Sequence, residues 1–248
     1  MHMSTLKYMG TLGSLGLLVS GSLIYGSANA AMAATCRTGL AAPASTTFTG
    51  TLVTATNFEG NTLSPFVKSV AGTGTVAVTS PKAHSGTCSV RIRATDTTGS
   101  VANMRVGLAT GTKRANADAW VNITTGGVAG NNVPYVRFFS GSTRVADVFR
   151  NNANGQLWLR VANPSGAVSY TRLMAASVPL NTWQHIRMQV RADGTRSSIQ
   201  IWFGTVQVFN KTVNLPSATL SRVQFGAEHP RQMGDSYVDD VVVKRSAS

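Results

Sequence analysis

Acidic residues are scarce in this chain, which carries 9 Asp and Glu against 22 Lys and Arg. Glycosidases need two carboxylates roughly 5–10 Å apart, yet the sequence contains no run of the form Glu-x-Asp-x-x-Glu. Asp96, Asp118, Asp147 and Asp193 each stand alone. The sequence therefore argues against a glycosidase that uses paired carboxylates.

Cysteine is nearly absent too, and so are several familiar motifs. Cys36 and Cys88 lie far apart with no histidine pair beside them, which excludes a zinc site built on both. No Gly-x-Ser-x-Gly elbow occurs, so a serine hydrolase of that type is excluded.

No segment longer than about ten residues has helical periodicity. The chain is therefore predicted to be all-β.

The first thirty residues are predicted to be a secretory signal peptide. Lys7 precedes an uncharged stretch from Tyr8 to Ala30, which ends in the small residues Ser27-Ala28-Asn29-Ala30. The alternative is a transmembrane anchor, but five glycines and four serines dilute the stretch. We expect this segment to be cleaved, which would leave no membrane span and give a secreted or cell-surface protein.

The predicted export determines how the two cysteines are interpreted. In an oxidising compartment an even pair predicts a disulfide, so Cys36 is expected to bond to Cys88. Two unrelated buried thiols are the alternative. Residues 31–50 are rich in Ala, Thr, Ser and Gly without hydrophobic periodicity, which indicates a linker or N-terminal arm.

The net charge of +13 indicates polyanionic partners: acidic polysaccharide, an anionic membrane surface or nucleic acid. Export makes nucleic acid the least expected of the three. The alternative is that arginine enrichment follows from codon usage and only keeps the protein in solution.

Residues 51–248 are predicted to form one two-sheet antiparallel β-sandwich, a jelly roll or a similar fold. Short alternating runs separated by turn residues are typical of such domains. Pro134 to Met174 reads as three successive hairpins, a β-meander. Within it, Leu157, Leu159 and Val161 share one face of a strand, and Gln156, Trp158 and Arg160 share the other.

Three motifs resemble the concanavalin A-like lectin/glucanase superfamily, in particular its laminin G-like members. They are Asn57-Phe58-Glu59-Gly60 with the later AHSGTCSV of residues 83–90, the NTWQHI of residues 181–186, and the closing YVDDVVV of residues 237–243. The Phe-Glu start and the Asp-Asp-Val end also occur in carbohydrate-binding modules of the galactose-binding-like type. Both resemblances imply a two-sheet sandwich, and the superfamily implies glycan binding on one sheet or its rim.

One face of the meander is predicted to bind this glycan, because aromatic rings stack on sugars while Arg and Gln donate hydrogen bonds to hydroxyls and carboxylates. The alternative is a solvated outer face on which arginine stems cover the rings. Strict alternation would turn Asp147 toward the core unless a bulge or an edge position intervenes. The predicted ligand-binding residues are Tyr135, Arg137, Arg150, Gln156, Trp158, Arg160, Tyr170 and Arg172.

Glu59, Asp239 and Asp240 are predicted to hold a structural calcium ion. Calcium is bound by six to eight oxygen atoms, and families with this start and end often bind it there. First and last strands of a jelly roll commonly lie side by side, which would bring these carboxylates together. Ordinary cap or turn contacts are the alternative.

These observations predict a secreted, non-catalytic, lectin-like module for acidic polysaccharide. A structural or adhesive extracellular protein is a second hypothesis. A polysaccharide lyase is a third, because lyases on this fold use a Tyr or His base with Arg or Gln neutralising the uronate. The histidines His84, His185 and His229 have no partner that the sequence identifies.

Overall fold

The computed structural model describes residues 35–43, 48–128, 130–229 and 232–247, and the predicted signal peptide lies outside them. Within these residues the chain forms fifteen strands and a single 3-10 turn, Gly194–Arg196. The strands are β1 Thr51–Thr56, β2 Val67–Ala71, β3 Thr75–Thr79, β4 Ser89–Ala94, β5 Val101–Gly107, β6 Arg114–Thr125, β7 Asn132–Ser140, β8 Thr143–Asn151, β9 Gln156–Ala162, β10 Val168–Ser177, β11 Trp183–Arg191, β12 Ser197–Phe203, β13 Val206–Val213, β14 Arg222–Ala227 and β15 Gly234–Ser246.

The strands form two antiparallel sheets that pack as a β-sandwich, which confirms the predicted fold class. The eight-stranded sheet has the order β13-β12-β11-β6-β15-β4-β3, with β1 pairing with β15. The seven-stranded sheet has the order β10-β9-β8-β7-β14-β5-β2. The meander is confirmed as β7 to β10, and the first and last strands lie side by side as predicted.

Alternating side chains divide each sheet into a core face and an outer face. Leu157, Leu159 and Val161 of β9 are buried in the core, as the alternation predicted. Ile186, Met188 and Val190 of β11 contribute to the same core from the other sheet. Because the remaining residues of these strands point away from the core, each sheet presents an outer surface.

Two register shifts in the β7–β8 hairpin decide which side chains reach the outer face. Pro134 pairs with Phe149 and Val136 with Val148, so Tyr135 is an extra residue in β7. Tyr135 consequently turns into the core, where its ring meets Phe203 of the opposite sheet edge-on at 5.8 Å. Its predicted position beside Arg137 was therefore wrong.

The second register shift lies further along the same hairpin, between Phe138 and Phe139 of β7. Phe138 pairs with Ala146 and Phe139 with Arg144, which makes Val145 the extra residue of β8. Val145 and Ala146 are both in the core, and Asp147 is thereby placed on the outer face opposite Arg137. A bulge of this kind resolves the conflict that strict alternation created for Asp147.

The predicted disulfide is present between Cys36 and Cys88, whose Cα atoms are 5.3 Å apart. The described part of the N-terminal arm contacts the sandwich: Asn57 donates to the carbonyl of Ala41, and Lys244 donates to that of Phe48. No helix among the described residues is long and apolar enough to cross a membrane.

Candidate functional site

A row of side chains crosses the outer face of the seven-stranded sheet at right angles to its strands. The pairing register aligns one residue from every strand, and each of them points away from the core. We call this set the cross-strand row. In order from β10 to β2 it consists of Tyr170, Arg160, Asp147, Arg137, Gln224, Arg105 and Val67.

The centre of the row is a cluster of three arginines and two carboxylates. Asp147 lies 3.6–3.9 Å from nitrogen atoms of Arg137, Arg144 and Arg160. Glu228, which follows β14, lies 3.6 Å from Arg137 and 3.9 Å from Arg144. These separations are ion-pair contacts longer than hydrogen bonds. The cluster therefore neutralises its charges only partly.

Arg137 is the most buried member of this cluster, with an exposed fraction of 0%. None of its three guanidinium nitrogens has a hydrogen-bond acceptor within the described part of the chain. Burial lowers the pKa of Arg137 to about 10, although Asp147 opposes this effect. Burial likewise raises the pKa of Asp147 against the influence of the three arginines. Arg137 thus remains a cation at neutral pH beneath the surface.

Aromatic rings flank the charged cluster on the same face. Trp158 is half-buried, pairs across the sheet with Phe149 and Arg172, and has a buried indole N–H without an acceptor among the described residues. Tyr170 is 56% exposed and meets Phe149 edge-on at 6.2 Å. This side of the face therefore combines exposed ring area with cationic donors.

Six of the eight predicted ligand-binding residues come together on this face. Arg150 is an exception, because it pairs with the core residue Leu157 and donates to the carbonyl of Val178. Tyr135 is the other exception, since the bulge turns it into the core. The residues that share the outer face are Arg137, Gln156, Trp158, Arg160, Tyr170 and Arg172.

Several residues on the outer face of the seven-stranded sheet were not predicted from the sequence. Arg105 alternates with the core residues Ala102, Met104 and Val106 in β5, a signal that strict alternation could have revealed. Gln224 alternates in the same way within β14. The contribution of Glu228 depends on tertiary structure, because it stands beyond the end of its strand.

Glu59, the first predicted calcium ligand, is occupied by hydrogen bonds. Its carboxylate accepts bonds of 2.5–2.7 Å from the backbone N–H groups of Arg37, Thr87 and Cys88, and one of 3.0 Å from the Thr87 hydroxyl. Burial raises the pKa of Glu59, but these bonds outweigh it and lower the pKa below its ordinary value. Gly86, at φ 64°, packs against this carboxylate where a Cβ atom would clash. Glu59 thus ties the arm to the disulfide.

Asp239 and Asp240 bind the segment that precedes the disulfide. Asp239 accepts the backbone N–H groups of His84 and Ser85, at 2.8 and 3.1 Å. Asp240 contacts the His84 ring at 2.6 Å and accepts the Ser85 hydroxyl at 2.6 Å. Burial, with repulsion from Asp240, raises the pKa of Asp239 to about 7, although the backbone N–H groups of His84, Ser85 and Asp240 oppose the shift. Both carboxylates therefore hold this segment against β15.

An aromatic stack continues from this contact over the outer face of the eight-stranded sheet. The His84 ring lies 3.7 Å from Trp120, and the His185 ring lies 4.8 Å from the same indole, both nearly parallel to it. His185 in turn contacts Asp118 at 2.6 Å. These histidines therefore have partners that lie far away in the sequence.

The structure does not gather Glu59, Asp239 and Asp240 into one ligand set. Among the described residues, no group of three or more His, Cys, Asp or Glu side chains is arranged to hold a metal ion. The calcium ion stays a prediction, which chelation of the purified protein would test.

The comparisons with known proteins concern the fold. No family model matches the chain, and no curated protein matches it. The endo-β-1,4-glucuronan lyase of the fungus Trichoderma reesei is similar in structure, with a TM-score of 0.59 at 14% identity over 74% of this chain and 92% of the lyase. Domain 4 of AbnA, an extracellular GH43 arabinanase from Geobacillus stearothermophilus solved with arabinotriose, has a TM-score of 0.53 at 13% identity over 79% and 93%.

The cellulose-induced protein Cip1 is also similar, with a TM-score of 0.51 at 16% identity over 78% of this chain and 96% of Cip1. Identities of this size show a shared fold alone. The shared fold is a β-sandwich, in agreement with the architecture that the sequence motifs predicted.

Proposed function

We propose that this protein is a secreted polysaccharide-binding module whose ligand is an anionic linear polymer, bound along the cross-strand row. The observation that carries the proposal is the row itself. It aligns polar, charged and aromatic side chains across all strands of one sheet, from Tyr170 to Val67. Six steps between strands, each about 4.8 Å, give it a length of about 29 Å. An extended polymer fits such a track better than a compact small molecule.

The charges on the face support an anionic ligand. The described residues place six arginines around the row against two carboxylates, Asp147 and Glu228. Guanidinium groups match carboxylates and sulfates geometrically. Since Arg137 lies beneath the surface, we expect it to act through its field, while more exposed arginines touch the polymer. The six arginines are Arg105, Arg137, Arg144, Arg160, Arg172 and Arg222.

The fold neighbours and the disulfide are consistent with this proposal. Two of the three neighbours are named for action on polysaccharides, and one was solved with arabinotriose bound. The Cys36–Cys88 disulfide suits an extracellular protein.

Cleavage of the polymer by β-elimination is a second candidate function of the same face. The observation that favours it is the pairing of Tyr170 with Arg160, which sets an exposed phenol beside a guanidinium. A phenolate can act as a base while the guanidinium neutralises a uronate. Incubation with polyuronate, followed by the ultraviolet absorbance of unsaturated ends, separates a lyase from a binding module.

The first prediction concerns Trp158. Trp158→Ala should lower the affinity for polyuronate at least about 30-fold, because an aromatic anchor that a ligand buries contributes about 2 kcal/mol or more. Isothermal titration with a purified polyuronate measures the change. Trp202→Ala is the matched control, since Trp202 lies half-buried on the outer face of the other sheet.

The control should bind like the parent protein, and both variants should lose similar thermal stability. Equal binding by the parent and Trp158→Ala would contradict the placement of the ligand on this face. Failure of the parent protein to bind any polysaccharide would favour the adhesive or structural alternative.

A further inference from the structure

The cross-strand row leads at its β2 end, beside Val67 and Arg105, into a cavity of about 430 Å³. This volume lies within the usual range for small-ligand sites. Gly107 and Gly141 contribute no side chains to its walls, and Val67, which is 60% exposed, forms an apolar edge. Arg105 and Arg222 supply its charged groups. The cavity is thus lined by two cations and contains no carboxylate.

Arg222 is held firmly in position. Its guanidinium lies 4.1 Å from the centre of the Phe139 ring, and it donates to the carbonyl of Gly141 at 2.8 Å. Its Nε atom is buried without an acceptor among the described residues. Burial lowers the pKa of Arg222, and the nearby Arg105 lowers it further, while Glu228 has the opposite effect. The two arginines therefore repel each other, and an anion between them would relieve that repulsion.

A second cavity, of about 400 Å³, lies at the eight-stranded sheet and provides a contrast. There, Arg91 donates to Asp235 through both Nε and Nη2, so the cation already has its anion. The Arg105–Arg222 cavity has no such internal partner among its lining residues.

We propose that the cavity between Arg105 and Arg222 is a subsite for one acidic group, a carboxylate or a sulfate, on a sugar of the polymer that crosses the row. The inference rests on the proposed function and deepens it. Arg105 lies five strand steps, about 24 Å, from Tyr170. A short oligosaccharide bound at the Trp158 end cannot reach the subsite, whereas a longer one can. Affinity should therefore rise once the ligand spans this distance.

The test is a titration of oligouronates of increasing length with the parent protein and with Arg105→Gln. Arg105 is exposed, so the substitution should leave folding intact. The parent should bind long oligomers about tenfold more tightly than short ones, as expected for one charge-assisted contact. Arg105→Gln should lose this gain, so that it binds long and short oligomers with similar affinity. Arg93→Gln, an exposed strand arginine of the other sheet, is the control and should behave like the parent.

The outcomes separate the subsite from the function. If Arg105→Gln keeps the full gain with length while Trp158→Ala abolishes binding, the subsite is wrong and the proposed function stands. If the parent binds no oligomer, the function itself fails. A parallel series of sulfated oligosaccharides identifies the group, because Arg105→Gln should weaken only the series that fills the cavity. If Arg105→Gln weakens the binding of neither series, the subsite proposal is wrong.

Discussion

Arg137 is the residue that most shapes the outer face, because its charge is buried without a hydrogen-bonded anion among the described residues. Removing a guanidinium from water is costly, and ion pairs at 3.6–3.9 Å recover only part of that cost. We therefore expect the removal of a carboxylate beside Arg137 and the removal of the Arg137 charge itself to have very different effects on the free energy of unfolding.

The structure predicts opposite effects for two substitutions. Asp147→Asn should lower the free energy of unfolding by about 3 kcal/mol, because it leaves Arg137 with fewer compensating charges. Arg137→Met should change it by less than about 1 kcal/mol, because it removes the desolvation cost of Arg137 while Asp147 keeps the charges of Arg144 and Arg160 beside it. Urea denaturation of both variants measures the difference. A larger loss for Arg137→Met than for Asp147→Asn would contradict this description of the cluster.

Single residues also show where sequence reasoning fails. Alternation assigned Gln156, Trp158 and Arg160 to the outer face correctly, because β9 is regular over that stretch. It failed for Tyr135, because one extra residue in β7 reverses every position beyond it. A bulge is defined by the pairing with the partner strand, so alternation along β7 alone does not reveal it.

At the scale of elements, the regular hairpins were predictable and the lone strands were not. The meander from β7 to β10 was evident from turn residues between alternating runs. The strands β1, β2 and β5 lie outside that series of hairpins and were not assigned, although β5 alternates core and outer residues. The loss of β5 hid Arg105 and with it one end of the candidate site.

The arm and the segment before β4 form one stabilising unit around the disulfide. Cys36 and Cys88 close a loop of 52 residues, and Glu59 accepts N–H groups on both sides of the bond. Cross-linking restricts the unfolded chain, while the Glu59 contacts hold the two ends in the native state. The sequence predicted the bond itself but not the role of Glu59, whose partners are backbone groups.

Reduction of the disulfide should therefore lower the free energy of unfolding by about 4 kcal/mol, as expected for a loop of this length. Denaturant unfolding with and without reductant measures the loss, and mass spectrometry after alkylation confirms the redox state. After reduction near neutral pH, the carboxylate of Glu59 should keep its buried position. Identical unfolding curves in the two conditions would show that the disulfide contributes nothing to stability.

For the whole molecule, the two outer faces differ in chemistry. The eight-stranded sheet carries the stack of His84, Trp120 and His185, in which each histidine contacts a carboxylate. The seven-stranded sheet carries the arginine-rich row, with donors of Arg137 and Gln224 that lack protein acceptors among the described residues. Buried donors without protein acceptors occur on the eight-stranded sheet as well, at Arg114, Asn116, Arg187 and Arg191. We favour the seven-stranded sheet as the binding surface because all three guanidinium nitrogens of the fully buried Arg137 lack acceptors among the described residues.

The central claim is that this face recognises the acidic groups of a linear polysaccharide. The most direct measurement compares the binding of one polyuronate before and after chemical reduction of its carboxylates to alcohols, at several salt concentrations. The polymer should bind before reduction, with an affinity that falls as salt rises, and should lose most of that affinity afterwards. Equal affinity for both polymers, independent of salt, would contradict recognition of acidic groups by the arginines of the cross-strand row.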